Sequence, residues 1–430
     1  MGKRKTSGGL AAWPGINGWI LFGVCFLSNV LAGQISTLMS VYLPNVLTSL
    51  LHEHTADAGA VNQIGSYINA IFLLGWTLGG FSWGLIADRI GRLKSFVLSL
   101  LCIGLFTILI SFTTSWEMLI IFRLLTGFGV GGVMVISVTF LSEVWPKSSR
   151  NIVIGIVSIG FPVGIFTSGL VNLLSGWREG FMMGVLPMAL AVVACFVVKE
   201  SRAWTEVITG PFPKNRIQIF GAYRKELLHG TVIFGSMLIG LWAVFSWFPT
   251  WVQSLLQDAD GQSERGFVMM LLGIGGLTGG FFSGWIAKTL GVRKAMMLCF
   301  SGCTLMAVLL FGFNSVFSPI IYIETAFLSL FFGISQGLLS FYIPQLFPTE
   351  IRAGATGFCF NLGRVFTTIA VFSLGSLVTA LGGYSNALLT FSLVFIIGFI
   401  LLYFGRNDKV EAVPFQKKAI DEEIKILNDL

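Results

Sequence analysis

The sequence predicts an all-α membrane protein with twelve transmembrane helices arranged in two six-helix halves. Three observations predict this fold. Hydrophobic residues make up 55% of the 430 residues and charged residues only 11%, whereas a soluble domain carries about 25% charged residues. The apolar residues fall in long runs, and mean hydropathy is +0.84. Finally, a charged segment that closes one of these runs occurs again in the second half of the chain.

A helix that crosses a bilayer needs roughly 20 apolar residues. On that scale the sequence predicts spans at 17–45, 62–87, 94–114, 117–142, 149–175, 178–199, 229–256, 265–287, 295–313, 318–345, 353–381 and 384–405. The longest polar connection follows the sixth span. We therefore predict an N-terminal half at 1–199, a cytoplasmic linker at 200–228, a C-terminal half at 229–405 and a cytoplasmic tail at 406–430.

Two pairs of matching loops indicate that one half duplicates the other. The segment Gly79 to Lys94 ends an apolar run with an acid, three cations and a turn glycine, and Gly279 to Lys294 repeats this layout with a lysine in place of the acid. A second pair places a proline and an arginine after the fourth and the tenth spans. Repeats of this kind predict two parallel halves related by an axis along the membrane normal.

The lysines and arginines predict the orientation. They fall in the loops at one end of the predicted bundle, while the loops at the other end hold only Arg178 and Arg265. Because cytoplasmic loops carry the excess of positive charge, we predict a cytoplasmic-membrane protein with both termini in the cytoplasm. The net charge of +7 arises in these short loops, so the sequence does not predict nucleic-acid binding.

Catalytic and metal-binding patterns are missing from the sequence. The three histidines lie at span ends, the six cysteines lie inside apolar runs without metal-ligand spacing, and no nucleophile is accompanied by a base. We predict a protein that is not an enzyme and has no cofactor. Its expected contacts are a small-molecule substrate and membrane lipid.

Three motifs carry a family resemblance. The first contains Gly84, Asp88, Arg89, Gly91, Arg92 and Lys94; the second Arg123, Gly127, Gly129 and Gly131; the third Glu143, Pro146 and Arg150. In this order they resemble the major facilitator superfamily over essentially the whole chain, and the third resembles its sugar porters and its organic-acid and metabolite porters. The resemblance implies a monomeric secondary transporter that works by alternating access.

The resemblance also implies that the loop motifs fasten the cytoplasmic side of such a transporter. The gate residues implied are Gly84, Asp88, Arg89, Gly91, Arg92, Glu143, Arg150 and Arg352. A carboxylate at Asp88 can meet cations and a helix N-terminus of the neighbouring half. The alternative for the cations is that they only set orientation. Because Lys288 stands where the second copy would have its acid, we expect a weaker fastener there.

Charged groups inside the spans are candidates for function, because burying one costs several kcal/mol without a partner. At 1.5 Å per residue, Arg364 lies roughly 17 Å deep, near the bilayer midplane. Its forked donors suit a carboxylate; the alternative is an internal ion pair. We hypothesise that Arg123 and Glu324 lie at similar height across the two halves and serve as an outer gate or proton relay.

The resemblance places spans 1, 4, 7 and 10 around the substrate cavity. The predicted binding residues are Arg364, Asn361, Asn29, Gln34, Gln336, Tyr342 and Trp247. They predict proton-coupled transport of a small organic anion, a monocarboxylate or an acidic sugar. The aspartate that aromatic-acid porters carry in the first span is absent, so the coupling residue is not located. The alternatives are a neutral sugar or polyol carrier and a nutrient sensor that does not translocate.

Overall fold

The computed structural model describes residues 15–51, 58–146, 149–201, 204–205, 223–256, 260–347 and 352–404. Within these ranges, twelve helices are long and apolar enough to cross a membrane, and no strand is found. Their bounds are α1 (Ile16–Leu51), α2 (Ala58–Ile90), α3 (Arg92–Ser111), α4 (Trp116–Val144), α5 (Arg150–Leu174), α6 (Trp177–Val197), α7 (Arg224–Leu255), α8 (Gln262–Leu290), α9 (Val292–Phe313), α10 (Ile320–Gln345), α11 (Arg352–Ala380) and α12 (Tyr384–Phe404). The predicted all-α membrane fold is confirmed.

The twelve helices pack in the same order in each half. In the first half α2 packs on α4, α1 on α5, and α3 on α4; in the second half α8 packs on α10, α7 on α11, and α9 on α10. The two halves meet where α5 contacts α8, α2 contacts α11, and α1 contacts α7. Six central helices therefore face both the partner half and any space between the halves.

Glycines let the helices of each half approach closely. A Cβ atom at Gly127 of α4 would collide with the carbonyl oxygen of Phe72 on α2, and one at Gly131 would collide with the carbonyl of Trp76. The second half repeats the arrangement, because a Cβ at Gly279 of α8 would collide with the carbonyl of Leu330 on α10. Small residues at such contacts are the usual means of packing helices in membranes.

The turns that join α2 to α3 and α8 to α9 are copies of each other. Gly91 has a φ of 106° and Gly291 a φ of 80°, a region that glycine adopts without steric cost. The amide of Gly91 donates to the carbonyl of Ala87 at 3.2 Å, and that of Gly291 to Ala287 at 3.0 Å. Each amide closes the last turn of its helix, and the two turns lie at the same place in the repeat.

The bundle has two different ends. We call the end that carries Arg92, Arg150 and Arg293 the basic end, and the opposite end, which carries Asn62 and Arg265, the sealed end. Because consecutive helices run in opposite directions, each helix contributes one terminus to each end.

Hydrogen bonds join α5 and α1 of the first half to α8 of the second at the sealed end. Asn172 donates to the carbonyl of Gln262 at 2.7 Å, and the side chain of Gln262 donates to the carbonyl of Asn172 at 2.5 Å. Arg265, which is buried, donates to the side-chain oxygen of Asn45 at 2.5 Å and to the carbonyl of Asp260 at 2.8 Å. The two halves are therefore joined by polar bonds at this corner.

A second set of bonds joins α2 to α11 and α12 at the same end. The amide of Gly375 donates to the hydroxyl of Ser66, and the hydroxyl of Ser376 donates to the side chain of Gln63, both at 2.5 Å. The hydroxyl of Tyr384 donates to Asn62 at 2.5 Å. These contacts and those of α8 close the sealed end on both sides of the bundle.

The halves separate toward the basic end. A Cβ atom placed on Gly80 of α2 would lie 3.1 Å from the side-chain oxygen of Asn361 on α11. One turn further toward the basic end, Cβ atoms on Gly84 of α2 and Gly357 of α11 would meet nothing within 4 Å among the described residues. The same holds for Gly284 of α8. The conformation is therefore closed at the sealed end and open at the basic end.

Candidate functional site

Arg364 lies in the middle of α11, between the sealed contacts and the open end. Its guanidinium donates to the side-chain oxygen of Asn361 at 3.3 Å, and its central carbon lies 5.3 Å from the ring centroid of Trp76 on α2. Among the described residues, the ion pairs within 4 Å all belong to Arg92, so no described carboxylate neutralises Arg364. The cation at this depth has only neutral neighbours.

Two further aromatic rings pack against Trp76, the ring that lies beside Arg364. The ring centroid of Trp76 lies 5.4 Å from Trp242 on α7, in an edge-to-face arrangement, and 5.6 Å from Phe161 on α5. We call Trp76, Phe161 and Trp242 the aromatic cluster. With Arg364 it draws on four helices, two from each half. A site of this composition offers one forked cation and flat apolar walls.

Glycine positions Arg364 against this cluster. A Cβ atom on Gly363 would lie 2.6 Å from the ring of Phe234 on α7, so only glycine permits the close approach of α11 to α7 here. The neighbouring guanidinium is thereby held at the centre of the bundle. The amide of Asn361, one turn earlier, keeps its side-chain oxygen on Arg364.

The predicted binding residues of α1 do not join this group. Asn29 donates to the carbonyl of Cys25 at 2.8 Å and to the hydroxyl of Ser137 on α4 at 3.1 Å. Its amide hydrogens therefore stabilise the first half. Gln34 is buried where α1 packs closely on Gly164 of α5.

The predicted residues of α7 and α10 are also dispersed. Tyr342 is fully buried and its hydroxyl lies 3.0 Å from His229. Trp247 is fully buried at the sealed end, 5.6 Å from the ring of Tyr384. Gln336 keeps a buried side-chain nitrogen without a hydrogen-bond partner among the described residues. Of the seven residues predicted to bind substrate, Arg364 and Asn361 are joined by a hydrogen bond, and the assignment of the set stays a prediction.

Arg123 and Glu324 are not brought together. Arg123 is 1% exposed, and its guanidinium carbon lies 4.1 Å from the ring centroid of Phe72 in the same half. Glu324 accepts a hydrogen bond from Asn314 at 2.8 Å. Asn314 also donates to carbonyls at the end of α9, so Glu324 supports the turn between α9 and α10. Direct contact between this acid and this cation is absent.

Arg92 forms the ion pairs of the basic end. It binds Asp88 at 2.6 Å and Glu143 at 2.9 Å, and so ties α3 to α2 and α4. The carboxylate of Asp88 was expected to reach cations of the neighbouring half, and here its partner is a cation of its own half. That difference follows from the conformation, since the halves are apart at this end. Gly84, Asp88 and Arg92 line a groove of about 290 Å³ between α2 and α4.

Glu200, which follows α6, binds the first turn of α3. One carboxylate oxygen accepts from the amide of Arg92 at 2.9 Å, and both accept from Leu93 at 3.2 Å. The indole of Trp204 donates to the backbone carbonyl of Asp88 at 3.0 Å. A Cβ on Gly91 would meet the carboxylate of Glu200, so a side chain there would displace this contact.

The other predicted gate residues make local contacts or lie outside the described part. Arg150 donates to the carbonyl of Trp145 at 3.1 and 3.3 Å. Arg89 ends α2 on the exposed surface. The side chain of Arg352 lies outside the described residues. The gate assignment as a whole stays a prediction.

The sequence reasoning missed Trp76 and Phe161 of the aromatic cluster, and it missed Glu200. Trp76 and Phe161 lie on α2 and α5, helices that the family resemblance does not place around the cavity. Their signal was the occurrence of large rings at mid-span next to close-packed glycines. The signal for Glu200 was an acid directly after a span, within reach of a helix that begins without an acidic residue of its own.

Comparisons with known proteins agree with the fold. The sequence model of the family named Major Facilitator Superfamily matches residues 24–370. A cis,cis-muconate transport protein of Acinetobacter baylyi is 26% identical, over 84% of this chain and 87% of the relative. The sialic acid transporter NanX of Escherichia coli is 26% identical, over 73% and 78%. The crystal structure of a D-xylose-proton symporter covers 90% of this chain and 97% of its own at a TM-score of 0.75 and 16% identity.

Proposed function

Because the chain belongs to the major facilitator superfamily, a family of membrane transporters rather than enzymes, we propose that it is a secondary transporter of a small organic anion. The substrate is a monocarboxylate or an acidic sugar. It crosses the cytoplasmic membrane by alternating access, and the basic end, with both chain termini, faces the cytoplasm. The positive-inside distribution of lysine and arginine supports this orientation.

The observation that carries the proposal is the unneutralised guanidinium of Arg364. A partly buried cation inside a span that lacks a carboxylate within 4 Å is costly unless a ligand supplies the negative charge. Arginine binds a carboxylate through two parallel hydrogen bonds, which fixes both position and orientation. The names of relatives that carry muconate and sialic acid, both carboxylates, support the same class.

The aromatic cluster supports an anion with a flat or apolar body. Trp76 lies between Arg364 and Trp242, so a carboxylate bound at the guanidinium places the rest of the molecule against rings. Most small-molecule sites combine apolar walls with a few placed polar groups. The site also bridges the two halves, so a bound substrate contacts both of the units that move in alternating access.

The proposed cycle uses the two ends of the bundle in turn. In the present conformation the basic end is open, and the substrate exchanges between Arg364 and the cytoplasm. The opposite state breaks the bonds of the sealed end and brings together the helices that carry Gly84 and Gly357. In that state Asp88 meets the second half. Proton coupling remains part of the proposal, without an assigned residue.

Uptake into proteoliposomes tests the proposal. We expect wild-type protein to take up a labelled monocarboxylate such as benzoate, and Arg364→Gln to reduce uptake at least about tenfold, because a charge-assisted hydrogen-bond pair is lost. Arg224→Gln removes an exposed cation at the start of α7 and is the matched control, with uptake unchanged. Carboxylate uptake at the wild-type rate by Arg364→Gln contradicts the anion assignment.

The same preparation separates the alternatives. Competition by unlabelled xylose or sorbitol, in place of carboxylates, indicates a neutral sugar or polyol carrier. Counterflow, in which internal unlabelled substrate drives entry of labelled substrate, requires translocation. A protein that binds the acids but gives no counterflow is a sensor.

A further inference from the structure

The side chain of Arg123 has an unusual environment for a cation. It is 1% exposed, and its Nε and Nη1 atoms are buried without a hydrogen-bond partner among the described residues. One face of the guanidinium lies against the ring of Phe72. One turn along α4, the hydroxyl of Thr126 is also buried and without a partner. Two nitrogen atoms of this guanidinium are therefore buried with no group among the described residues to accept their hydrogens.

The acid expected to neutralise Arg123 is bound elsewhere. Glu324 is held by Asn314 in the second half, and the ion pairs of the described residues all involve Arg92. The ring of Phe72 provides a cation–π contact, but a ring face accepts none of the in-plane hydrogens. A guanidinium left in this state needs an anion from outside the described chain.

Arg123 and Arg364 are connected by two rings on one face of α2. The guanidinium carbon of Arg123 lies 4.1 Å from the centroid of Phe72, which lies 6.0 Å from that of Trp76, which lies 5.3 Å from the guanidinium carbon of Arg364. The two cations can be no farther apart than these three steps laid end to end. Phe72 precedes Trp76 by one turn, so Arg123 lies on the sealed-end side and Arg364 on the open side.

From this arrangement we propose that Arg123 is a second anion-binding point, and that the site binds a rigid dicarboxylate more tightly than the matching monocarboxylate. One carboxylate would bind Arg364 on the open side, and the other would bind Arg123 on the sealed-end side of the same two rings. This inference rests on the proposed function, because the first of the two carboxylates is the one assigned to Arg364.

Charge balance favours a dianion over a monoanion. Both guanidiniums lie within the spans, and no described carboxylate lies within 4 Å of either one. A monoanion bound at Arg364 leaves Arg123 unneutralised, whereas a dianion neutralises both. The two rings between the cations favour a planar body, such as a benzene ring or a conjugated chain, which packs on aromatic faces. A rigid body also keeps its two carboxylates apart without loss of conformational freedom on binding.

Pairs of ligands that differ only in whether they carry a second carboxylate test whether Arg123 binds one. Terephthalate and para-toluate share a benzene ring and one carboxylate, and differ by a carboxylate in place of a methyl group. Trans,trans-muconate and sorbate make the same comparison on an open chain. Affinities are measured on purified full-length protein by calorimetry or by competition against labelled uptake. We expect the wild type to bind each dicarboxylate at least about tenfold more tightly than its partner.

The variants identify the residue responsible. Arg123→Gln should abolish the dicarboxylate preference and leave the affinity for para-toluate within about twofold of wild type, which also shows that the variant is folded. Arg123→Lys keeps the charge but not the fork, so it should keep part of the preference and serves if the glutamine variant is unstable. Arg364→Gln should weaken all four ligands.

Three results would contradict the proposal that Arg123 binds a second carboxylate. They are equal wild-type affinity for the two members of each pair, an equal loss of both members in Arg123→Gln, and a preference that survives in both Arg123 variants. Each leaves the assignment of Arg364 intact. Failure of all four ligands to bind the wild type overturns the dicarboxylate inference, and failure of benzoate and an acidic sugar as well contradicts the proposed function itself.

Discussion

The two copies of the charged turn at the basic end have the same backbone and different chemistry. In the first copy Arg92 binds Asp88 and Glu143 and so joins three helices. In the second copy the hydroxyl of Thr289 bonds back to its own helix, at the carbonyls of Trp285 and Ile286. No ion pair is found at the second turn among the described residues.

Both turns nevertheless fasten the sixth helix of their half to the third. In the first half the carboxylate of Glu200, after α6, accepts from the amides that begin α3. In the second half Arg293, at the start of α9, donates to the carbonyls of Leu402 and Tyr403 at the end of α12, at 2.8 and 3.0 Å. An anion at a helix N-terminus and a cation at a C-terminus are both favourable. Duplication has therefore kept the position of the contact and reversed its polarity.

Removal of Arg92 should lower stability the most, because it destroys the ion pairs that the second copy of the turn lacks. Arg92→Ala leaves the largely buried carboxylate of Glu143 without its cation, and we expect the free energy of unfolding in detergent to fall by about 2 to 3 kcal/mol. Thermal or denaturant unfolding followed by tryptophan fluorescence measures it. Lys294→Ala, which removes an exposed cation near the start of α9, is the control. A loss no greater than that of the control would show that the ion pairs add nothing.

The contacts of Glu200 and Arg293 should each contribute less to stability than those of Arg92. The two contributions can be compared directly with each other. We expect Glu200→Ala to cost about 1.5 kcal/mol, since it removes a charged acceptor from the N-terminal amides of α3. Arg293→Ala should cost about 1 kcal/mol, because the carbonyls it leaves lie at an accessible helix end. The same unfolding assay applies, with Glu200→Gln as a partial replacement that still accepts hydrogen bonds. A loss in Arg293→Ala that exceeds the loss in Glu200→Ala would contradict this ranking.

The smallest effect on stability is expected for Asp88→Asn. The side chain of Asp88 is 61% exposed, and an exposed ion pair contributes about 0.5 kcal/mol. Its proposed role is in the opposite conformation, so the variant should instead favour the state that is open at the basic end. Labelling of a cysteine introduced at Gly357 measures this opening, with Lys288→Gln in the second copy as control. If labelling equals that of the protein with Asp88 intact, Asp88 has no role in the gate, and the charged turn only sets the orientation of the protein.

Much of the fold was predictable because the signals are short-range. Apolar runs of the length of a bilayer define the spans, and glycine in each charged turn permits the positive φ found at Gly91 and Gly291. The packing role of Gly127 and Gly131 also follows from spacing along one helix. The family resemblance drawn from three motifs is confirmed by the match over residues 24–370.

The site was less predictable because its contacts join helices that are distant in sequence. The depth of Arg364 could be estimated from helix rise, but the rings beside it come from α2, α5 and α7. Which group binds the carboxylate of Glu324 depends on Asn314 in the preceding turn, and the sequence alone does not show this contact. Likewise, only packing shows that Asn29 bonds to Ser137 and that the carboxylate of Asp88 binds its own half in this conformation.

The bonds across the sealed end involve amides, hydroxyls and backbone groups, and the cation among them, Arg265, has neutral acceptors. Dissolved ions weaken attraction between opposite charges, and the described residues place no such pair across this boundary. The rate at which this end opens should therefore change little when the ionic strength of the medium at that end changes. In the proposed orientation this end faces outward, so a cell that moves between fresh and saline surroundings would keep the same rate of opening on that side.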